Sequence, residues 1–298
     1  MSTAVRTPRP VAALVVVAMD EEARPFLDAL APFDDVDEVL LLGAARARSL
    51  ALPGAAAAGG GALAVDGGTP AAIGADAGPG GDSIGGSPAD RLVPRAGRRP
   101  AGPRELVLVR SGIGLVAAAS ALATALTRLA PAVVLSAGTA GGLGREVEVG
   151  DVCVSTTLAY TDADATAFGY AHGQTPGQPA VFEADAAVLA RVEAVGPAAL
   201  RGATASSADA RIRAGQMLAG NSFVTAANAD RVRELFPGAV STDMESTALA
   251  QVAASAGIPF ASVRGVSDLC GPEAGQDFHI GADEAAARSA AVVLAVLG

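Results

Sequence analysis

Basic residues are scarce: 21 Lys and Arg stand against 31 Asp and Glu, a formal net charge of -10. Nucleic acid and anionic membranes need a basic face that displaces counterions, so neither is expected as the main partner. A small neutral or weakly charged ligand fits better. Cysteine is equally sparse, with only Cys153 and Cys270. They lie in apolar runs more than a hundred residues apart, without CxxC or Cys/His spacing, and read as buried reduced thiols. His172 and His279 are the only histidines, and neither has metal-ligand spacing to anything. No metal site and no cofactor are implied. Apolar runs long enough to span a bilayer are missing too; "SAAVVLAVLG" near the C-terminus is too short. The early "VAALVVVAM" follows basic "RTPRP" and mimics a signal peptide, but acids follow it instead of a small-residue cleavage site. It reads as the first strand of a cytoplasmic protein.

What remains is ample for a globular core: 298 residues, 51% of them hydrophobic. After an expected flexible tail over 1–10, the remainder, 11–298, reads as one domain. "VAALVVVA" has the unbroken apolar character of a buried parallel strand, and "MDEEARPFLDALA" that of the helix after it. "VLLLG" and "SLALP" read as strands. Residues 54–103 are nearly all Ala, Gly, Pro and Ser, too poor in apolar side chains to offset their ordering entropy, and are expected to form a low-complexity surface insertion. Beyond them "ELVLVRSGIG" ends a strand in a Gly turn before the helix "LVAAASALATALTRL". "PAVVLSAGTAGGL" repeats that strand-to-turn pattern, and "VGDVCVSTTLAY" reads as a strand pair. "FEADAAVLARVEAV" and "ADRVRELFPGA" read as helices, with "QMLAGNSFVTAA" a strand and loop between them. "VSTDMESTALAQVAASAG" passes from an extended piece into a helix closed by Gly257 with Pro259 beyond. "PFASVRGVSDLC" is the last strand and "GADEAAARSAAVVLAVL" the last helix. The alternation predicts an α/β fold, a mixed, largely parallel central sheet flanked by helices. Ligands in such folds bind at the C-terminal ends of strands, where the Gly turns and several acids fall.

Those acids are Glu22, Asp243, Glu245 and Asp268. Glu21 and Glu22 also suit the N-terminal end of a helix dipole, with no catalytic role required. Asp243 and Glu245, two apart, face the same way if extended, and one of them could instead cap the helix. Asp268 is the hardest to explain as surface charge, because apolar residues flank it on both sides. A carboxylate at such a place is costly unless paired or solvated. The Gly turns "SGIGL" and "SAGTAGGL" allow close backbone approach to a ligand, although neither is a Walker loop or a dinucleotide fingerprint. "DADATAFGYAHGQTPG" reads equally well as a surface loop or a binding loop.

Taken in order, "AMDEEA", "SGIGLVAAA", "SAGTAGGL", "VGDVCVS", "DADATAFGYAHGQTPGQP", "GNSFV", "DMESTALA" and "VRGVSDL" resemble the 5′-methylthioadenosine/S-adenosylhomocysteine nucleosidases of the nucleoside phosphorylase superfamily. The resemblance covers nearly all the chain except the tail, the insertion and the last thirty or so residues, where it is loose. It implies a nucleoside phosphorylase-like fold that hydrolyses the N-ribosidic bond of 5′-modified adenosines. By that resemblance Asp268 is the acid that protonates purine N7, held by Ser267, and Glu22 activates the attacking water with Glu245 and Arg264 nearby. Glu245 and Met244 would hold the ribose hydroxyls. Phe223 would stack on adenine, the backbone of Val224 would read its edge, and Thr139 and Gly141 would approach base and sugar. Met19, Ile113 and Phe278 would line the pocket for the 5′ group. Ala165, Phe168 and Pro176 match loop positions that reach a neighbouring subunit's site, which implies a homodimer.

The residue types suit the chemistry. Breaking an N-ribosidic bond through an oxocarbenium-like state needs an acid for the leaving base and a carboxylate that places water. A shielded strand end suits an acid that must hold its proton at neutral pH. Phosphorolysis is the nearest rival, but Asp20, Glu21 and Glu22 follow the first strand where a phosphate would need cationic surroundings. A futalosine hydrolase would fit the same pattern; a nucleoside-binding protein without catalysis is the alternative from another class, and Asp268, Glu22 and Glu245 speak against it, because binding alone needs no acid and base together. Three positions depart from the family pattern: Asp243 stands where Glu is more frequent, Leu115 replaces a common Lys, and "LCGPEAGQDFHIGADEAA" lacks the usual lid pattern.

Overall fold

The computed structural model describes residues 7–53, 104–271 and 280–298. The insertion at 54–103, most of the expected tail, and Phe278 lie outside the described residues. In chain order the elements are β1 (Arg9–Val11), β2 (Ala13–Val17), α1 (Asp20–Ala29), β3 (Val39–Leu40), β4 (Arg46–Leu52), β5 (Arg104–Arg110), α2 (Leu115–Leu126), β6 (Leu129–Pro131) and β7 (Val134–Gly142). There follow β8 (Val152–Tyr160), β9 (Phe182–Glu183), α3 (Ala186–Arg201), β10 (Ile212–Ala219), α4 (Ala226–Leu235), β11 (Ala239–Asp243), α5 (Ser246–Ala256), β12 (Phe260–Asp268) and α6 (Ala282–Leu297).

Order begins inside the stretch read as tail. Arg9 and Pro10 belong to β1, which pairs parallel with β6, and the half-exposed Arg9 guanidinium bonds the buried Glu105 carboxylate. The stretch "VGDVCVSTTLAY" also differs from expectation. Instead of two strands it forms a turn, closed by Asp151 N–H to Glu148 C=O, and then the single strand β8. β-branched residues along 152–157 keep that strand extended without a break.

One large sheet carries the order β11-β10-β8-β12-β7-β2-β5-β4-β3. β2 lies parallel between β5 and β7, and β12 lies parallel to β7, so these strands end along one edge. β8 runs antiparallel to β12, which makes the sheet mixed. β11 then pairs antiparallel with the end of β7, through Ser241 with Gly142 and Thr242 with Gly141. β7, β12, β8, β10 and β11 thereby close into a ring, and the end of β11 is brought against the end of β7.

Alternation along β2 explains the layering. Val15 and Val17 pack with Phe26, Leu135, Val263 and Val293 on the face covered by α1, α3 and α6. Leu14 and Val16 pack with Leu122, Val134 and Leu249 on the face covered by α2 and α5. Side chains on a strand point alternately to opposite faces, so an unbroken apolar run is buried on both. This double-sided core holds the strand ends that carry the site.

Candidate active site

A cavity of about 340 Å³ opens at those strand ends. Met19, Glu22, Ile113, Thr139, Gly141, Phe223, Val224, Met244, Glu245, Arg264, Ser267 and Asp268 all line it. The walls come from loops and strand ends more than two hundred residues apart in sequence. Three residues named from the "DADATAFGYAHGQTPG" loop do not join them: Ala165, Phe168 and Pro176 are absent from the lining, and Phe168 is 83% exposed. Within the loop, Gly173 N–H bonds Ala163 C=O and the turn packs on Tyr160.

Glu22 sits in the first turn of α1 and is buried. One carboxylate oxygen accepts the N–H groups of Ala18 (2.7 Å) and Met19 (3.2 Å), satisfying donors at the helix start. The other accepts the Thr139 N–H (2.8 Å) and hydroxyl (3.0 Å) from β7. The helix-start role and a place in the cavity thus coexist. Gly138 makes this approach possible: its φ is +132°, and a Cβ there would collide with the Glu22 carboxylate.

Asp243 resolves the choice left open between the two acids of "DME". Its Oδ1 accepts the N–H groups of Glu245 (2.8 Å) and Ser246 (2.7 Å), which makes it the acceptor at the start of α5. Glu245 is left free to turn into the cavity, where its Oε1 accepts the Gly114 N–H from the "SGIGL" turn at 2.8 Å.

Between these acids lies Arg264, the only cationic residue among the described residues that line the cavity. Its guanidinium reaches Glu245 at 3.1 Å, Asp243 at 3.5 Å and Glu22 at 4.0 Å. It also donates to Ser136 Oγ (2.8 Å) and Thr139 C=O (3.1 Å). A buried cation without such partners would be prohibitively costly. Glu245 feels the reverse pressure. Burial pushes Glu245 up to about 7; Arg264 opposes this and Asp243 adds to it, while the Gly114 N–H opposes and Glu22 adds smaller effects.

Asp268 stands apart from that cluster. A bulge between Val266 and Asp268 shifts the pairing of β12 with β7, so consecutive Ser267 and Asp268 both reach the cavity. Asp268 is 9% exposed. The Ser267 hydroxyl lies 2.9 Å from Oδ2, and the Cys270 N–H donates to Oδ1 at 2.9 Å. Arg264, four residues earlier, is occupied by the other three acids. On β7, Thr139 meets Glu22 while Gly141 pairs with Asp268. Two strand residues separate the anchor points by about 7 Å.

Ser222, Thr242 and Cys270 also line the cavity and were not singled out by sequence. Ser222 and Thr242 adjoin flagged residues, and adjacency was the only signal they offered. Cys270 is buried, as its apolar setting implied, yet its buried side is a cavity wall. Burial, then the nearby Asp268 charge, pushes its thiol up to about 12, which leaves it an inert surface at neutral pH.

Fold and site together define the class. Residues 100–298 match the family model described as the Phosphorylase superfamily. Within it, the chain is 38% identical over 197 residues to the 5′-methylthioadenosine/S-adenosylhomocysteine nucleosidase of Actinobacillus succinogenes, covering 65% of this chain and 81% of that one. A nucleosidase of the same name from Anoxybacillus flavithermus is 38% identical over 189 residues, 63% of this chain and 78% of the relative. The crystal structure of the Neisseria meningitidis enzyme in complex with methylthio-immucillin-A superposes with a TM-score of 0.70 at 28% identity, covering 96% of this chain and 97% of that one. The Colwellia psychrerythraea nucleosidase with adenine gives a TM-score of 0.71 at 26% identity over 98% and 96%. This chain belongs to the 5′-methylthioadenosine/S-adenosylhomocysteine nucleosidase family.

Proposed function

We propose that the cavity hydrolyses the N-ribosidic bond of 5′-modified adenosines, such as methylthioadenosine, S-adenosylhomocysteine and 5′-deoxyadenosine, and releases adenine. The observation that carries this reading is the pairing of Arg264. Among the described residues, the one cation lining the cavity is engaged by three carboxylates, so a phosphate dianion would meet no free positive charge there and several negative ones. Water is the nucleophile such a site tolerates.

In this reading Asp268 donates a proton to purine N7 as the C1′–N9 bond breaks, with Ser267 and the Cys270 N–H fixing its orientation. Glu22, held by four hydrogen bonds to backbone and Thr139, orients and activates water at C1′. Arg264 keeps Glu22 and Glu245 in place. Glu245 and Met244 hold the ribose hydroxyls. Phe223, 54% exposed at the cavity mouth, is placed to cover the base, and buried Val224 offers its backbone to the base edge. Thr139 and Gly141 shape the floor, and Met19 with Ile113 receives the 5′ group; Phe278 belongs with them by resemblance alone. Splitting the work between an acid and a water-directing carboxylate matches the demands of an oxocarbenium-like transition state.

The same reading extends to assembly. A homodimer is supported by the exposure of the apolar Phe168 and Val116, and by the resemblance, which places Ala165, Phe168 and Pro176 at a neighbouring subunit's site. A cytoplasmic location rests on the reading of "VAALVVVAM" as a first strand, and a part in methionine salvage on the family resemblance. Among the described residues, no helix is long and apolar enough to cross a membrane.

The test is to incubate the protein with methylthioadenosine, S-adenosylhomocysteine, inosine or aminodeoxyfutalosine, with and without phosphate, and to chromatograph the free base. Adenine should appear from the first two without phosphate. Base release only with phosphate, or only from inosine or aminodeoxyfutalosine, would contradict the proposal.

A further inference from the structure

Beyond the cavity wall, one guanidinium joins the two strand ends that frame Asp268. Arg233 lies in the last turn of α4 and does not line the active-site cavity. Its Nε donates to Leu143 C=O at 3.1 Å, and its Nη2 donates to Leu269 C=O at 3.3 Å. Leu143 is the residue after β7, and Leu269 is the residue after β12. The ladder between those strands ends at the pair Asp268 and Gly141. Arg233 therefore adds a side-chain rung just beyond the last backbone rung.

That rung bears directly on the carboxyl group. Leu269 C=O and Cys270 N–H belong to the same peptide unit, and a peptide unit is planar and stiff. Arg233 holds the oxygen of this plane, while its N–H donates to Asp268 Oδ1 at 2.9 Å. Fixing the oxygen fixes the direction of the N–H. Cys270 also has φ of +54°, a left-handed conformation that a residue with a side chain adopts only when its surroundings impose it. The next residue is tied to the same helix: Gly271 C=O accepts the Ala226 N–H at 2.9 Å. Asp230, one turn before Arg233, steadies the guanidinium at 3.4 Å.

We infer that Arg233 is a positioning residue for Asp268, aiming its carboxyl group through the Leu269–Cys270 peptide plane. The inference rests on the reading of Asp268 as the acid for the leaving base. α4 then serves both halves of base recognition. The loop before it carries Phe223 and Val224, and its last turn sets the direction of the acid. A merely structural Arg233 would staple helix to sheet without favouring any step of the reaction.

Two substrates separate these possibilities. Adenine leaves a 5′-methylthioriboside only with protonation, whereas 4-nitrophenolate leaves without it. For Arg233→Ala, kcat on methylthioadenosine should fall on the order of tenfold to a hundredfold with KM little changed, as expected for a misaimed catalytic group. On 4-nitrophenyl 5-methylthioriboside the fall should be several times smaller. Arg233→Lys, which keeps the charge and one donor, should be intermediate in the same ratio, and it decides the matter if the alanine variant fails to fold. Equal losses on both substrates, or no loss on either, would overturn the inference. Asp268→Asn is measured on the same pair. If it shows no selective loss on methylthioadenosine, the reading of Asp268 as the acid is what fails; if it does and Arg233→Ala does not, only the role of Arg233 fails.

Discussion

Burial, offset by Arg264 and reinforced by Asp243, holds Glu245 at about 7 against an ordinary value of 4.5. The sign of its effect on stability follows from linkage. Between those two values the folded state binds more protons than the unfolded state, so this contribution to stability is present at low pH and is lost as pH rises through about 7. Glu245→Gln cannot ionise, and Arg264 retains Asp243 and Glu22 as partners. Urea midpoints measured between about pH 5 and pH 8 should therefore decline less with pH in the variant than in the wild type. Parallel curves would show that Glu245 is ionised throughout. At this scale Asp268 stood out because a charge between apolar residues needs an explanation, Glu22, Asp243 and Glu245 because they fall at strand ends or helix starts, and Arg264 only through the family resemblance. Ser222, Thr242 and Cys270 gave no such signal, since small polar side chains and thiols are as common in any core. Arg233 was invisible for a different reason, because on an amphipathic helix a basic residue near the end is ordinary.

Elements place these residues through close approaches that tolerate little added volume. A Cβ at Gly141 would lie 2.6 Å from Cys270 Sγ and 3.3 Å from Asp268 Oδ1. Gly141→Ala should displace the carboxyl group and lower kcat on methylthioadenosine on the order of a hundredfold. Removing the sulfur in Gly141→Ala/Cys270→Ala should restore part of it, a non-additivity expected of residues in contact. Simple additivity of the two losses would show that the packing conflict lies elsewhere. Periodicity and Gly turns made most strands and helices legible, including the turn-to-helix junctions that carry Glu22 and Glu245. The bulge in β12 was not legible, because a one-residue shift in pairing depends on the partner strand rather than on local sequence. The reading of "VGDVCVSTTLAY" as two strands failed because "VGD" was counted as extended when it belongs to a turn. Ala165, Phe168 and Pro176 of the "DADATAFGYAHGQTPG" loop, expected at a neighbouring subunit's site, lie away from the cavity of their own chain.

For the molecule as a whole, the α/β class and the flanking helices were readable from alternation, while the closure of β7, β12, β8, β10 and β11 into a ring was not. No local pattern announces that β11 returns antiparallel to β7, and this return is what sets Asp243 and Glu245 opposite Glu22 around Arg264. In the proposed reading that acid-ringed cation is what favours water over phosphate. The most direct test runs methylthioadenosine turnover in H₂¹⁸O with phosphate present and analyses the sugar product by mass spectrometry. The account predicts free 5-methylthioribose carrying one ¹⁸O atom, with no sugar phosphate formed. An unlabelled 5-methylthioribose 1-phosphate as the product would contradict it.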